Sequence, residues 1–471
     1  MDPAKEIIQL TASEMRERLI RREISPVEVV QACLEQIERH NPAINAICTV
    51  NVKALDEAER LEREVVRGKS PGLLYGLPLG IKDVTPTAGI RTTFGSPLFA
   101  DYIPEEDALV VQRLKKAGAI IIGKTNTPEF AAGGNTFNEV FGRTRNPWNL
   151  QLSAGGSTGG GAAALATGRI ALAEGTDLGG SLRMPASFCG VVGLRPSPGL
   201  VPTWPSEFLW DNLNVSGPMA RTVEDAALML QAIAGPHPLV PMVQPAKGRN
   251  FVKAVQSGIS EKLRIAYCRD IAGIGIDPDV ESVCRRAAFE LAQAGAEVQE
   301  IEFDLSAFKK AFATIRGFWM AAHYYKYLDR LEHFGENLRG NIRTGLKVTM
   351  EELASAEQAR SRLWLKFYDF FMKYDHLLTP TMAVAPFPVE QNYPTEIAGK
   401  KMKTYIDWFA PTFLLSLSGL PVASVPCGLD KNNLPVGMQI VGPQMGEEKV
   451  LALAKLVQEA NPICWPKLTS T

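Results

Sequence analysis

The chain has 471 residues, 46% hydrophobic and 21% charged, a balance that suits a globular protein with a large core. Its formal net charge of −1 gives no electrostatic case for nucleic acid or an anionic membrane surface. The seven cysteines form no C-x-x-C pair and the five histidines show no metal-ligand spacing, which argues for reduced thiols in a cytoplasmic protein and against a disulfide framework or a zinc site.

The first ten residues lack the apolar run of a signal peptide, and no stretch reaches the length of a membrane span. Thr11 and Glu14 form a capping box, in which each side chain satisfies the other residue's free N–H. Ser25 and Glu28 form another, with Pro26 at the first helical position. Val29, Val30, Cys33, Leu34 and Ile37 then share a face, and Asn41-Pro42 is expected to stop the helix. Residues 51–67 read as a charged helix ending at Gly68. Residues 77–81 read as a buried strand running into Lys82 and Asp83. An amphipathic helix over 107–117 is closed by Gly118, followed by a strand at 119–122 and a loop at 123–130. A tight helix is expected at 162–166, with strands at 170–173 and 191–194.

The proline-rich stretch 235–245 marks a surface connection. Beyond it, a strand at 263–267, a helix at 279–294 and a strand at 296–303 make a β-α-β unit. Residues 308–376 are helical and aromatic, with a capping pair at Thr349 and Glu352, and the tail returns to strands and turns. Alternation of this kind implies an α/β fold around a mostly buried sheet.

Chemistry concentrates in residues 152–196, which hold two glycine-flanked serines: Ser157 in GGSTGG and Ser181 in DLGGSLR. Glycines let the backbone approach a substrate and aim successive N–H groups at one point, which suits a developing oxyanion. Ser181 is a candidate nucleophile, with a capping serine in a glycine turn as an equal alternative. GGSTG also fits the G-x-S-x-G elbow, but the residues before it read as loop and not as the strand an elbow requires. No Lys-Ser/Thr follows the glycines, so a phosphate loop is excluded. Ser306-Ala-Phe-Lys309 matches S-x-x-K, yet S-D-N and K-T-G are missing. Lys82 ends an apolar strand; at the surface it is an ordinary ammonium, whereas buried it loses its proton readily and becomes a competent base. The residues alone leave that choice open.

Taken together, GIKD at Lys82, GGSTGG at Ser157 and GTDLGGSLRMPASFCGVVGLRP at Ser181 closely resemble the amidase signature family. The spacing of the three positions agrees with it, and the resemblance weakens only from about 240 to 375. It implies a single α/β/α domain over 1–471, with a mixed central sheet covered by helices. Within it, 1–70 would be an N-terminal helical layer and 71–235 the signature core. Residues 236–380 would be a variable segment shaping the pocket, and 381–471 a return to the core.

The resemblance further implies a Ser–cis-Ser–Lys triad with no metal and no cofactor. Ser181 would attack the carbonyl, Ser157 would relay the proton, neutral Lys82 would be the base, and the Gly156–Ser157 peptide would be cis. The N–H groups of Leu178, Gly179, Gly180 and Ser181 would form the oxyanion hole, with Asp177 and Arg183 holding the loop in shape. Thr158 replaces the second serine of the usual GGSSGG and keeps its hydroxyl. Gly161 stands where serine or alanine is common, and Leu178 replaces a frequent threonine, making the pocket wall more apolar.

The implied activity is cleavage of small-molecule amides through an acyl-enzyme, extending to anilides, carbamates or esters. The aromatic residues of 308–376 suggest an apolar or aryl substrate, although core packing explains them equally well. A monomer or homodimer without membrane or nucleic-acid partner is expected. The rival within the same family is the glutamine-hydrolysing component of a tRNA-dependent amidotransferase, which works with partner chains. A rival outside it is a histidine-dependent hydrolase using Ser157, for which His237, His323, His333 and His376 would be the candidates.

Overall fold

A computed structural model describes residues 6–259 and 262–466. Eleven strands form one sheet: β1 (Ile47–Val50), β2 (Pro78–Lys82), β3 (Ile120–Thr125), β4 (Leu172–Asp177), β5 (Val192–Arg195), β6 (Val215–Ala220), β7 (Arg264–Tyr267), β8 (Glu297–Glu300), β9 (His376–Pro380), β10 (Val422–Leu429) and β11 (Pro435–Val441). Their order is β1-β3-β2-β4-β6-β5-β10-β11-β9-β7-β8. The sheet is mixed. β2 runs parallel to both β3 and β4, and β7 runs parallel to both β8 and β9. The pairings through the middle, from β4 to β9, are antiparallel.

Period-two alternation along the strands divides the core between the two faces of this sheet. Leu79, Ile81, Ile121, Leu172, Ile265, Leu378, Val425 and Met438 belong to one continuous cluster. Their chain neighbours Ile120, Ile122 and Ala173 belong to a second; Ala266, Leu377 and Val422 belong to a third. One face therefore carries a single core along its length, and the other carries two that meet near its middle. The helices complete the layers: α1 (Ala12–Ile20), α2 (Pro26–Ile44), α3 (Ala54–Val66), α4 (Leu109–Lys116), α5 (Gly159–Ala166), α6 (Arg183–Cys189), α7 (Val223–Ile233), α8 (Phe251–Ser257), α9 (Pro278–Glu290), α10 (Lys309–His323), α11 (Glu336–Gly345), α12 (Met350–Phe371), α13 (Ala410–Ser418) and α14 (Glu447–Ala460). Among the described residues no helix is long and apolar enough to cross a membrane.

The capping boxes form at all three expected positions, starting α1, α2 and α12. Helix α2 does not stop at Asn41-Pro42. It carries Pro42 in its last turn and ends at Ile44, with Asn45 left-handed at φ 57° as its C-cap. The Asn41 carboxamide holds that exit by accepting from the Ala46 and Ile47 N–H groups and donating to the Ile47 carbonyl. The strand expected at 119–122 runs on to Thr125, so the start of the expected loop is sheet. The stretch before Ser157 is not plain loop either: Asn149–Ser153 is a short strand paired with Arg145–Asn146, outside the main sheet. The β-α-β unit forms as β7, α9 and β8.

Candidate active site

Strands β2 and β4 lie side by side and parallel, with Ile81 opposite Glu174. Their C-terminal ends therefore open at the same edge, where parallel sheets place their ligands. Lys82 is the last residue of β2. Because Leu79 and Ile81 point into the core of one face, Lys82 points to the other, and it is completely buried. Its Nζ lies 2.7 Å from Ser157 Oγ and 2.9 Å from Thr176 Oγ1. Burial disfavours the ammonium and draws the Lys82 pKa down to about 7, against the opposing pull of Glu174 and Asp177. Of the two fates open to Lys82, the structure shows the buried one.

Ser157 precedes α5 and is likewise completely buried. The Gly156–Ser157 peptide is cis. A Cβ on Gly156 would sit 2.9 Å from both the Gly133 carbonyl oxygen and the Gly134 carbonyl carbon, so the chain can pass there only as glycine. Ser181 follows β4 by four residues and is half-buried. Ser157 and Ser181 line one cavity of about 390 Å³. Their hydroxyls are not hydrogen-bonded to each other; the local tie is the Thr158 N–H donating to the Ser181 carbonyl at 3.2 Å.

The glycine loop between Asp177 and Ser181 is held from below by buried charge. Burial pushes the Asp177 carboxyl up, but the guanidinium groups of Arg183 and Arg195 outweigh it and hold the pKa at about 2. Arg183 donates to both Asp177 oxygens at 3.0 Å, to the Thr412 carbonyl at 2.9 Å, to Gln439 Oε1 at 2.8 Å and to Ser416 Oγ at 2.6 Å. Arg195 donates to the Asp177 carbonyl. Asp177 in turn accepts from the N–H groups of Gly180 at 2.8 Å and Leu182 at 3.2 Å. The Gly180 donor, expected to face an oxyanion, is thus taken by a nearby carboxylate, which is the stronger acceptor. Gly180 sits at φ 130°, and a Cβ there would lie 2.3 Å from Thr412 Oγ1. Thr412 Oγ1 itself donates to the Gly179 carbonyl at 2.7 Å.

A second buried lysine lies beside the first. Lys124, near the end of β3, donates to the Thr85 carbonyl, and to Thr87 Oγ1 and Thr92 Oγ1 at 3.0 Å each. Burial lowers its pKa to about 8. Thr85 Oγ1 donates to Glu174 at 3.0 Å, and burial raises the Glu174 pKa. Sequence reasoning missed Lys124, Glu174, Thr176 and Thr412. Lys124 had a legible signal, since IIIGK repeats the apolar-strand-then-lysine pattern of LGIK. Thr412 and Ser416 stand four apart in an otherwise apolar helix, which marks a polar seam.

His323 lines the cavity and approaches Asp211 at 3.4 Å, with no hydrogen bond to either serine. His376 is buried in β9, its pKa pulled down to about 4 by burial. His237 and His333 do not line the cavity.

A mixed α/β sheet with a buried lysine and two serines at one edge of its parallel strands defines the class of site. The chain belongs to the amidase signature family: the Amidase family model matches residues 28–451. It is 34% identical to the glutamine-site component of glutamyl-tRNA(Gln) amidotransferase (its A chain) from Cyanothece sp., over 95% of this chain and 97% of that protein. It is also 34% identical to an acylamidase of Rhodococcus erythropolis, over 96% of each. A bacterial aryl acylamidase of the amidase signature family superposes with a TM-score of 0.89 at 28% identity, over 96% of each chain. The expected fold class is the observed one, and the chain is an amidase-family enzyme that hydrolyses carbon–nitrogen bonds.

Proposed function

We propose that the protein hydrolyses amides through an acyl-enzyme on Ser181. The observation that carries this reading is the completely buried Lys82, its Nζ 2.7 Å from Ser157 Oγ in the wall of the cavity that also holds Ser181. A lysine with a pKa near 7 is neutral for much of its time at physiological pH and can accept a proton. Ser181 Oγ bonds to the substrate carbonyl carbon. Its proton passes to Ser157 Oγ while the Ser157 proton passes to Lys82 Nζ, leaving an ammonium. The relay needs the two hydroxyls in contact, which a rotation of the half-buried Ser181 side chain supplies when substrate enters; catalytic hydrogen bonds commonly tighten only in the complex.

The carbonyl oxygen becomes an alkoxide held by backbone N–H groups of Leu178, Gly179 and Ser181, each such donor contributing about 3 kcal/mol. The proton returns through Ser157 to the nitrogen, the C–N bond breaks and the amine departs. Water repeats the sequence on the ester and frees the acid. Asp177, Arg183 and Arg195 support the loop without touching substrate.

The cavity is walled by Phe94, Phe99, Phe130, Tyr324, Tyr327 and Phe409, so an apolar or aryl amide fits better than a small polar one. Anilides, carbamates and esters present the same carbonyl to Ser181. The test is a panel of aryl anilides, aliphatic amides, carbamates, esters and glutamine. Turnover of anilides that disappears in Ser181→Ala supports the reading; unchanged turnover in that variant defeats it.

The likeness to the Cyanothece amidotransferase protein supports a second reading, a glutaminase working inside an amidotransferase. It predicts glutamine hydrolysis only with added partner proteins and none of simple anilides.

A further inference from the structure

The wall of the Ser181 cavity also contains charge, and one of those charges has no counter-ion. Lys326 is paired with Glu207 at the rim, and His323 approaches Asp211 at 3.4 Å. Arg316, on α10, lines the same cavity and is only 6% exposed. Its guanidinium donates to Asn341 Oδ1 and, at 2.7 Å, to Tyr405 Oη. It also lies 5.7 Å from the centre of the Tyr405 ring. Both acceptors are neutral, and among the described residues no carboxylate pairs with it. A guanidinium removed from water with neutral partners only is costly to keep and is ready for an anion.

The packing shows why it stays in place. Helices α10 and α11 touch backbone to backbone at Gly317 and Gly345, where a Cβ on Gly345 would lie 1.9 Å from the Gly317 carbonyl oxygen. That closeness brings Asn341 of α11 against Arg316. Asn341 Nδ2 donates to the Tyr405 hydroxyl and to the Asn337 carbonyl at 2.5 Å. Tyr405 Oη therefore accepts twice, and its own proton has no acceptor among the described residues. A fixed guanidinium fork and a spare phenol O–H on one wall match the planar geometry of a carboxylate.

We propose that Arg316 and Tyr405 bind a carboxylate carried by the substrate away from its scissile bond, which makes the favoured substrate an apolar or aryl amide with one anionic end. This inference rests on the hydrolase reading of the Ser181 cavity. Arg316 touches substrate in this account but takes no part in bond cleavage.

The test compares matched pairs that differ only in that charge. One pair carries it on the acyl side, glutaryl against pentanoyl p-nitroanilide. The other carries it on the leaving group, the pentanoyl amide of 4-aminobenzoate against that of aniline. The charged member is expected to have the higher kcat/KM in at least one pair, by about 10-fold or more. Arg316→Gln brings that ratio to about 1 or below while the uncharged member changes by less than about 3-fold, and Tyr405→Phe lowers the ratio in between.

A binding arm needs no turnover. Calorimetric titration with 3-phenylpropionate and with 3-phenylpropanol is expected to favour the carboxylate in the unaltered protein and not in Arg316→Gln. No carboxylate preference in either pair or in the titration overturns the proposal. So does an equal loss for charged and uncharged members in both variants, since that is the mark of a purely structural arginine. Failure to turn over the uncharged anilides, with carboxylate binding intact, would count against the Ser181 reading alone.

Discussion

The pH dependence of turnover follows from Lys82. Moving its pKa from 10.5 to about 7 corresponds to roughly 5 kcal/mol of preference against the buried ammonium. Only the neutral amine can take the Ser157 proton, so kcat/KM should be flat above about 7 and fall about 10-fold per pH unit below it. Roughly 1% of the amine is neutral two units below its pKa. Glu174 opposes the shift by favouring the ammonium, so Glu174→Gln should move the acid limb to lower pH. The assay is stopped-flow or steady-state hydrolysis of an aryl anilide from acid to alkaline pH, for the unaltered protein, Glu174→Gln and Lys82→Ala. The same group acts on stability with a definite sign. Between about 7 and 10.5 the unfolded chain binds a proton at residue 82 that the folded chain does not, so this group makes stability rise with pH across that window. An acid limb that stays put in Glu174→Gln, or full activity in Lys82→Ala, would refute the reasoning.

Three further outcomes test the loop and its rivals. Gly180→Ala forces a Cβ to within 2.3 Å of Thr412 Oγ1 at φ 130°; anilide kcat should fall by about 100-fold or more as the loop is pushed out of shape. Asp177→Asn leaves Arg183 and Arg195, both 0% exposed, without their counter-ion, and urea unfolding should show a loss of about 3–5 kcal/mol. Because the Asp177 pKa is lowered to about 2, its contribution is present above the ordinary carboxylate pKa and fades as pH falls toward 2, a fade the variant should lack. His323→Ala should keep both its turnover, within about 3-fold, and the acid limb; loss of that limb would transfer the base to histidine.

The elements that were legible are those set by local chemistry. Three capping boxes, the buried strand into Lys82 and the β-α-β unit each depend on residues close in sequence. The end of α2 was misread because Pro42 is tolerated in a last turn once Asn41 and Asn45 satisfy the exit, which needs the partner carbonyl at Ile47. Strand β6 and helix α13 gave no periodic signal: both are buried on all sides and read as uninterrupted apolar text. At the site, Ser157, Ser181 and Lys82 could be named from their glycine-rich and strand-end settings. Glu174 and Thr176 could not, since their approach to Lys82 is a consequence of the β2–β4 register. The same holds for Gly180, whose N–H is claimed by a carboxylate only three residues away in the chain. Arg316 was hidden for another reason: its neighbours Asn341 and Tyr405 come from distant segments.

The most direct measurement is intact-protein mass spectrometry, with peptide mapping, after brief exposure to a serine-directed fluorophosphonate. The account predicts one adduct, on Ser181, formed rapidly in the unaltered protein and slowed by about 100-fold or more in Lys82→Ala and Ser157→Ala. An adduct on Ser157, or labelling of Ser181 at an undiminished rate without Lys82, would contradict it.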